Sequence, residues 1–183
     1  MAEYDCPSSL LEHANAFIEK YPNRVSPRIL KGRALMELGL FKESIRELKA
    51  GARISPERHS VRFWEWIGLA YDKKGDHTLA ETWFARCVER APNTTRLIFL
   101  GACLFAQGKY EEAKPPLRRA CKRNEGAPEE AHLNLALIFR AQGNLKQALE
   151  HANKAIALDP EYDEAERVRE DCQRALQFRS KSS

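Results

Sequence analysis

The sequence predicts an all-α protein, a right-handed superhelical solenoid of antiparallel helix pairs. Two observations carry this prediction. A pair of small residues seven positions apart occurs four times, and its copies follow one another in steps of 36 (32 to 68), 33 (68 to 101) and 35 (101 to 136). A period in the mid-thirties is typical of stacked helix pairs and not of one globular core. The four pairs are Gly32/Gly39, Gly68/Gly75, Gly101/Gly108 and Ala136/Gly143.

The first element is expected in residues 1–24, as a tail and a lone helix that packs on the first repeat. Its apolar residues recur at helical spacing, and it ends at Tyr21-Pro22-Asn23, where a proline stops it as prolines stop the second helices of the repeats. The apolar positions are Leu10, Leu11, Ala14, Phe17 and Ile18.

Four repeats follow over residues 25–160, and in each the first small residue lets the second helix approach the first closely. The second small residue, a glycine each time, ends the first helix in the left-handed conformation. Three of the second helices are followed by a proline, at Pro56, Pro92 and Pro160. The expected repeats are 25–60, 61–93, 94–128 and 129–160. A C-terminal capping helix is expected over 161–178, since its outer face is mostly charged, and a disordered tail over 179–183.

The second repeat carries the most specific motif. Trp64-x-x-Ile67-Gly68-x-x-Tyr71 is followed by Gly75, Ala80, Phe84 and Pro92. This order resembles the tetratricopeptide repeat, whose pattern is Trp, Leu-Gly, Tyr, Ala, Phe, Ala, Pro. The resemblance extends over roughly residues 25–160, and it implies a scaffold that binds other proteins.

Composition narrows the class of protein further. Thirty basic and 26 acidic residues leave a net charge of +4, which does not favour nucleic acid as a partner. The longest apolar stretch, 97–106, is about half the roughly 20 residues that span a bilayer. The five cysteines are odd in number and form no C-x-x-C, and residues 1–9 carry no basic leader segment. We therefore expect a cytoplasmic protein without membrane contact.

Catalysis is not expected from this sequence. No two histidines have metal-ligand spacing such as H-E-x-x-H, and the phosphate-binding glycine motifs and the G-x-S-x-G motif are absent. We expect no catalytic residue, no metal and no cofactor.

The resemblance implies a concave groove lined by the first helix of each repeat. Trp66, Phe99 and Phe105 make its predicted centre apolar, and contiguous exposed apolar surface usually marks an interface. Only Asn134 and Arg33 suit the carboxylate clamp known in part of the family, so a short apolar or amphipathic peptide is the favoured ligand. The predicted groove residues are Ile29, Arg33, Arg62, Trp66, Leu69, Phe99, Phe105, Leu133, Asn134 and Arg140.

Other functions remain open at this point. The array could be a homo-oligomerisation module, and both a monomer and a homodimer fit the sequence. It could be a small chaperone for an export substrate. A basic stretch from Arg86 to Arg123 could bind an anionic partner, although a solvated outer face is the simpler interpretation. Trp83 is either packed between repeats or an exposed anchor for another protein.

Overall fold

A computed structural model describes residues 6–123 and 125–181, and over these residues it contains ten α-helices and no strand. The all-α prediction is therefore confirmed. The helices are α1 Pro7–Lys20, α2 Ser26–Glu37, α3 Phe41–Ile54, α4 Glu57–Lys73, α5 His77–Arg90, α6 Thr94–Ala106, α7 Tyr110–Cys121, α8 Pro128–Ala141, α9 Leu145–Leu158 and α10 Asp163–Lys181.

The chain divides into two compact units, Met1–Ala91 and Pro92–Ser183. In the first unit each helix from α1 to α5 contacts the next along the chain, and α2 also contacts α4. In the second unit consecutive helices from α6 to α10 contact one another, α6 contacts α8, and α8 contacts α10. Within each unit, therefore, the first helices of successive repeats stack side by side, as expected of helix-pair repeats.

The first glycine of a pair permits the close approach of two helices. A Cβ atom on Gly68 of α4 would lie 2.6 Å from Cε1 of Phe84 in α5, far inside van der Waals contact. A Cβ on Gly32 would lie 2.5 Å from Leu48, and one on Gly101 would lie 2.4 Å from Leu117. These contacts confirm why a residue without a side chain recurs at this position.

The second glycine ends the first helix of each repeat. Gly75 has φ of +85°, and the N–H of Asp76 donates to the carbonyl of Tyr71 at 2.9 Å, which closes the end of α4. The equivalent glycines at 39, 108 and 143 have φ between 74° and 76°. The chain thus reverses direction after each of these helices at the predicted position.

The C-terminal end of the described chain differs in part from the expectation. Helix α10 continues to Lys181, whereas a disordered tail was expected from residue 179. The last two residues of that tail, and residues 1–5 of the expected N-terminal tail, lie outside the described residues.

Candidate functional site

In the first unit, the predicted binding residues lie on α2 and α4. Arg62, Trp66 and Leu69 follow one another at helical spacing and so share one face of α4, and Arg33 lies on the neighbouring α2. We call these four residues the α2/α4 surface. It combines an apolar strip with two exposed guanidinium groups.

Trp66 and Leu69 are half-buried, because part of each side chain belongs to the core of the unit. Trp66 packs against two core clusters, one around Phe63 and one around Met36, and Leu69 packs against the second. The remaining part of each side chain reaches the surface. The core therefore holds these two side chains in place while leaving them available for contact.

The two arginines of this surface differ in their partners. The Arg33 side chain is 50% exposed, and its Nε donates to Oε1 of Glu37 one helical turn later, at 2.7 Å. An exposed pair of this kind contributes little to stability and can be exchanged for a ligand carboxylate. Arg62 is exposed at the other end of the strip.

In the second unit, the predicted residues Phe99, Phe105, Asn134 and Arg140 lie on the neighbouring helices α6 and α8, and we call them the α6/α8 surface. Both phenylalanines are half-buried, and the Phe105 ring lies 5.7 Å from that of Tyr110. This surface resembles the first in pairing aromatic side chains with an exposed arginine.

Polar groups of the α6/α8 surface already have partners within the unit. Nδ2 of Asn134 donates to the carbonyl of Glu130 in its own helix at 2.9 Å. Nη1 of Arg140 donates to Oδ2 of Asp171 in α10 at 3.1 Å, and Asp171 also accepts from Arg174 at 2.7 Å. The Asp171 carboxylate thus pairs with two arginines, Arg140 and Arg174.

Two of the predicted groove residues are wrong. Ile29 is 8% exposed and belongs to the core cluster with Leu48 and Phe63, and Leu133 is 3% exposed. Both lie three residues before the first small residue of their repeat, and there the side chain turns inward. A peptide cannot reach either of them from the surface.

The basic stretch from Arg86 to Arg123 is partly engaged in contacts within each unit. The Arg86 guanidinium lies 4.0 Å from the centre of the Trp64 ring in the first unit. In the second unit Lys114 donates to Glu111 at 2.6 Å, and Arg123 donates to Glu125 at 2.9 Å. These contacts favour a structural use of the stretch over an anionic partner.

Trp83 is half-buried and packs against the core cluster that contains Trp64.

Sequence reasoning missed a pair of histidines between α8 and α9. The Nδ1 atoms of His132 and His151 lie 2.9 Å apart, and Phe139 stacks on His151 with ring centres 5.4 Å apart. Burial, and then the neighbouring His132, lower the pKa of His151 to about 4. Burial also lowers the pKa of His132. The pair is therefore neutral at pH 7, and one ring must donate to the other.

A further feature that the sequence did not reveal is an apolar channel between α1 and α2, which we call the N-terminal channel. It is a cavity of about 310 Å³, and its exposed apolar side chains include Phe17, 50% exposed, and Leu30, 43% exposed. Its lining residues are Leu10, His13, Ala14, Phe17, Arg24, Ser26, Pro27 and Leu30. Lys20 and Tyr21 lie beside it in an adjoining depression.

The helices also bear on membrane contact. Over the residues that the structure describes, none combines the length and the apolar character that a bilayer-crossing helix requires.

Two curated proteins share part of this sequence. Protein POLLENLESS 3-LIKE 2 of Arabidopsis thaliana is 30% identical over 90 residues, which is 49% of this chain and 21% of that protein. Protein O-mannosyl-transferase TMTC1 of Homo sapiens is 29% identical over 91 residues, 50% of this chain and 10% of that protein. The aligned part of the chain spans about a fifth and a tenth of the length of these relatives.

Solved structures share the fold at low identity. YrrB, described as a TPR protein with an unusual peptide-binding site, superposes with a TM-score of 0.69 at 18% identity, over 91% of this chain and 85% of its own. TTC0263, a thermophilic TPR protein of Thermus thermophilus, gives 0.71 at 16% identity, over 91% and 90%. A chain of the APC/C hetero-tetramer Cut9-Hcn1 gives 0.79 at 14%, over 96% and 34%.

The family assignment rests on the sequence as well as on the fold. The tetratricopeptide repeat profile matches residues 29–93 and 101–163, which is more than half of the chain. Its two segments contain all four pairs of small residues seven positions apart. This chain belongs to the tetratricopeptide repeat family.

Proposed function

We propose that the α2/α4 surface and the α6/α8 surface each bind a short, largely apolar or amphipathic segment of a partner protein. The tetratricopeptide repeat fold is a protein-interaction scaffold, and members of the family are typically non-catalytic. The proposal assigns the contacts to Arg33, Arg62, Trp66 and Leu69 in the first unit. In the second unit it assigns them to Phe99, Phe105, Asn134 and Arg140.

One observation carries the proposal: each surface has an aromatic side chain that packs against its own unit and is partly exposed. Trp66 packs on two core clusters, and Phe105 rests against Tyr110. Aromatic groups held in this way lose little conformational entropy on binding, and they are enriched among the residues that dominate binding energy. YrrB, which shares the fold, is described as having a peptide-binding site.

Charge at the edges of the two surfaces would select the ligand. Arg33 pairs with Glu37 within its helix, and Arg140 pairs with Asp171 across helices. Both pairs are exposed, so a ligand carboxylate can replace the internal one at little cost. Acidic residues flanking an apolar stretch are therefore the expected ligand chemistry.

The test selects peptides from a random display library against the full chain and measures their affinity for variants. We expect Trp66→Ala to weaken binding at the α2/α4 surface, and Phe105→Ala to weaken binding at the α6/α8 surface, by about tenfold or more each, as loss of an aromatic anchor does. Trp83→Ala is the matched control, because Trp83 is also a half-buried tryptophan that packs on core clusters of the first unit. Circular dichroism establishes that each variant is folded.

Equal affinity of the wild type and both surface variants would refute the proposal. Loss of binding in the Trp83→Ala control alone would move the site to the α4/α5 region. Light scattering of the wild type separates a self-association module from a peptide receptor, since a module would show a stable dimer.

A cytoplasmic location belongs to the proposal too, and the five free thiols suit a reducing compartment.

A further inference from the structure

Helix α1 departs from the second helices of the four repeats at two positions. Pro22 lies 34 positions before Pro56 (22 to 56), and this shift aligns α1 with α3. Leu10 and Phe17 then fall where every repeat has a small side chain. The residues equivalent to Leu10 are Ser44, Ala80, Ala113 and Ala148, and those equivalent to Phe17 are Gly51, Cys87, Ala120 and Ala155.

The small residues at these positions allow neighbouring helices to touch. Oγ of Ser44 donates to the carbonyl of Gly32 in the preceding helix at 2.6 Å. A leucine in place of such a serine, as at Leu10, keeps a preceding helix from approaching α1 so closely. Similarly, a Cβ on Gly51 would lie 2.3 Å from the Phe63 ring. The N-terminal channel therefore suits an occupant that lies farther from α1 than another repeat helix would lie.

At the position shared by Phe17 and Gly51, the large side chain of the contact comes from a different helix in the two helix pairs. Gly51 of α3 faces Phe63 of the following helix, whereas Phe17 of α1 and Pro27 of α2 both line the N-terminal channel. The large side chain thus comes from α1, and half of it remains exposed. The exposed half of the Phe17 side chain is available for contact with another molecule.

Two positively charged side chains border the channel. Arg24 lines it and Lys20 lies beside it, and neither makes an ion pair with another described residue. The acidic residues of α1, Glu12 and Glu19, lie about 140° and 160° around the helix from Phe17 and so project away from the channel. A cationic, half-exposed apolar channel complements a ligand that is apolar on one face and acidic on the other.

We propose that the N-terminal channel binds an acidic amphipathic helix of a partner protein, independently of the two surfaces described above. The channel and the adjoining depression together extend along α1 from Leu10 to Lys20, about 15 Å at 1.5 Å per residue, which is close to three turns of a partner helix. Leucine-sized side chains of that helix contact Leu10, Phe17 and Leu30. Its carboxylates pair with Lys20 and Arg24. A second copy of the chain that docked through the same channel would place like charges together.

The test uses two helical peptides of 14 residues, the length of α1. Both carry leucine at i, i+3, i+4 and i+7 spacing, and the remaining positions are glutamate in one and lysine in the other. Fluorescence anisotropy with the full chain measures both affinities. We expect the glutamate peptide to bind at least about tenfold more tightly, the factor that two favourable charge pairs supply.

Variants locate the binding. Lys20→Glu/Arg24→Glu should abolish or reverse the preference, and Phe17→Ala should weaken binding of the glutamate peptide. The control Lys42→Glu/Arg46→Glu changes net charge equally at exposed sites on α3 and should leave the preference intact. Trp66→Ala should have no effect here, which separates this proposal from the proposed function.

Three results would overturn the proposal. The first is absence of a preference between the two peptides, including absence of binding by both. The second is an equal effect of the two double charge variants, which would show only a response to net charge. The third is a stable dimer of the wild type that Phe17→Ala dissociates, because a second copy would then occupy the channel.

Discussion

Replacing both histidines of the α8/α9 pair should remove a pH dependence of stability. In the wild type, Nδ1 of one ring donates to Nδ1 of the other at 2.9 Å, an arrangement that two protonated rings cannot keep. The double variant His132→Phe/His151→Phe keeps two aromatic rings and cannot be protonated. Phe139, which stacks on His151, favours an aromatic replacement there.

The magnitude follows from the pKa of His151, which burial lowers from its ordinary 6.5 to about 4. Because the unfolded chain binds this proton more readily, the free energy of unfolding is unaffected above about pH 6.5 and falls as the pH drops toward about 4. At ~1.4 kcal/mol per pKa unit the ceiling is ~3 kcal/mol, and solvent contact of this half-buried ring reduces it to roughly 1.5 kcal/mol. The lowered pKa of His132 acts in the same direction.

Urea denaturation at several pH values between 7.5 and about 4.5 measures the effect. We compare the change in the free energy of unfolding between wild type and double variant, since Glu150 and Lys154 beside the pair are present in both. The wild type should lose about 1.5 kcal/mol more than the variant over this range. Parallel curves for the two proteins would refute the assignment of a buried, neutral pair.

Three further predictions concern the contacts between helices. Gly68→Ala should lower the free energy of unfolding by about 1–3 kcal/mol, because its Cβ would lie 2.6 Å from the Phe84 ring, and a smaller residue at 84 should restore part of the loss. Gly75→Ala should destabilise the protein by roughly 1–2 kcal/mol, because φ is +85° there although space is free, so no second substitution should rescue it. Ser44→Ala should decrease the thermal midpoint by an amount equivalent to about 1 kcal/mol, since the Gly32 carbonyl loses a buried donor; an unchanged midpoint would mean that the carbonyl finds another.

The fold was predictable because its determinants are local and repeat along the chain. The glycine pairs predict both the close approach of two helices and the end of the first, and the structure shows a Cβ clash at Gly68 and a left-handed conformation at Gly75. Trp66 and Phe105, which the sequence predicts as apolar groove residues, are half-buried in the structure. These predictions need only the period and the size of a side chain.

The burial of individual apolar residues was less predictable. Ile29 and Leu133 lie at the boundary between the core side and the outer side of their helices, where a small rotation decides between the two. Trp66, one position after the equivalent boundary residue of its own repeat, stays half-exposed. Hydrophobicity does not separate these cases, because the size and packing of residues on the facing helix decide them.

One contact between the two helices of a repeat shows why pattern alone misses such features. Residues 19 apart (28 to 47, 64 to 83, 132 to 151) occupy the same position in three repeats. Arg28 pairs with Glu47 at 2.5 Å, and in the fourth repeat His132 meets His151. In the second repeat Trp83 packs on the cluster of Trp64. Only the spacing is shared, so no residue type marks the position.

This variety has a consequence for how the scaffold can change. The small residues at the helix crossings fix the backbone, while the pair 19 residues apart contributes an ion pair, an indole contact or a neutral imidazole pair to a single repeat. In a solenoid each repeat interacts mainly with its neighbours, so such a pair alters the stability of its own repeat and leaves the geometry of the array unchanged. The exposed faces of helices such as α4 and α6 are then free to vary.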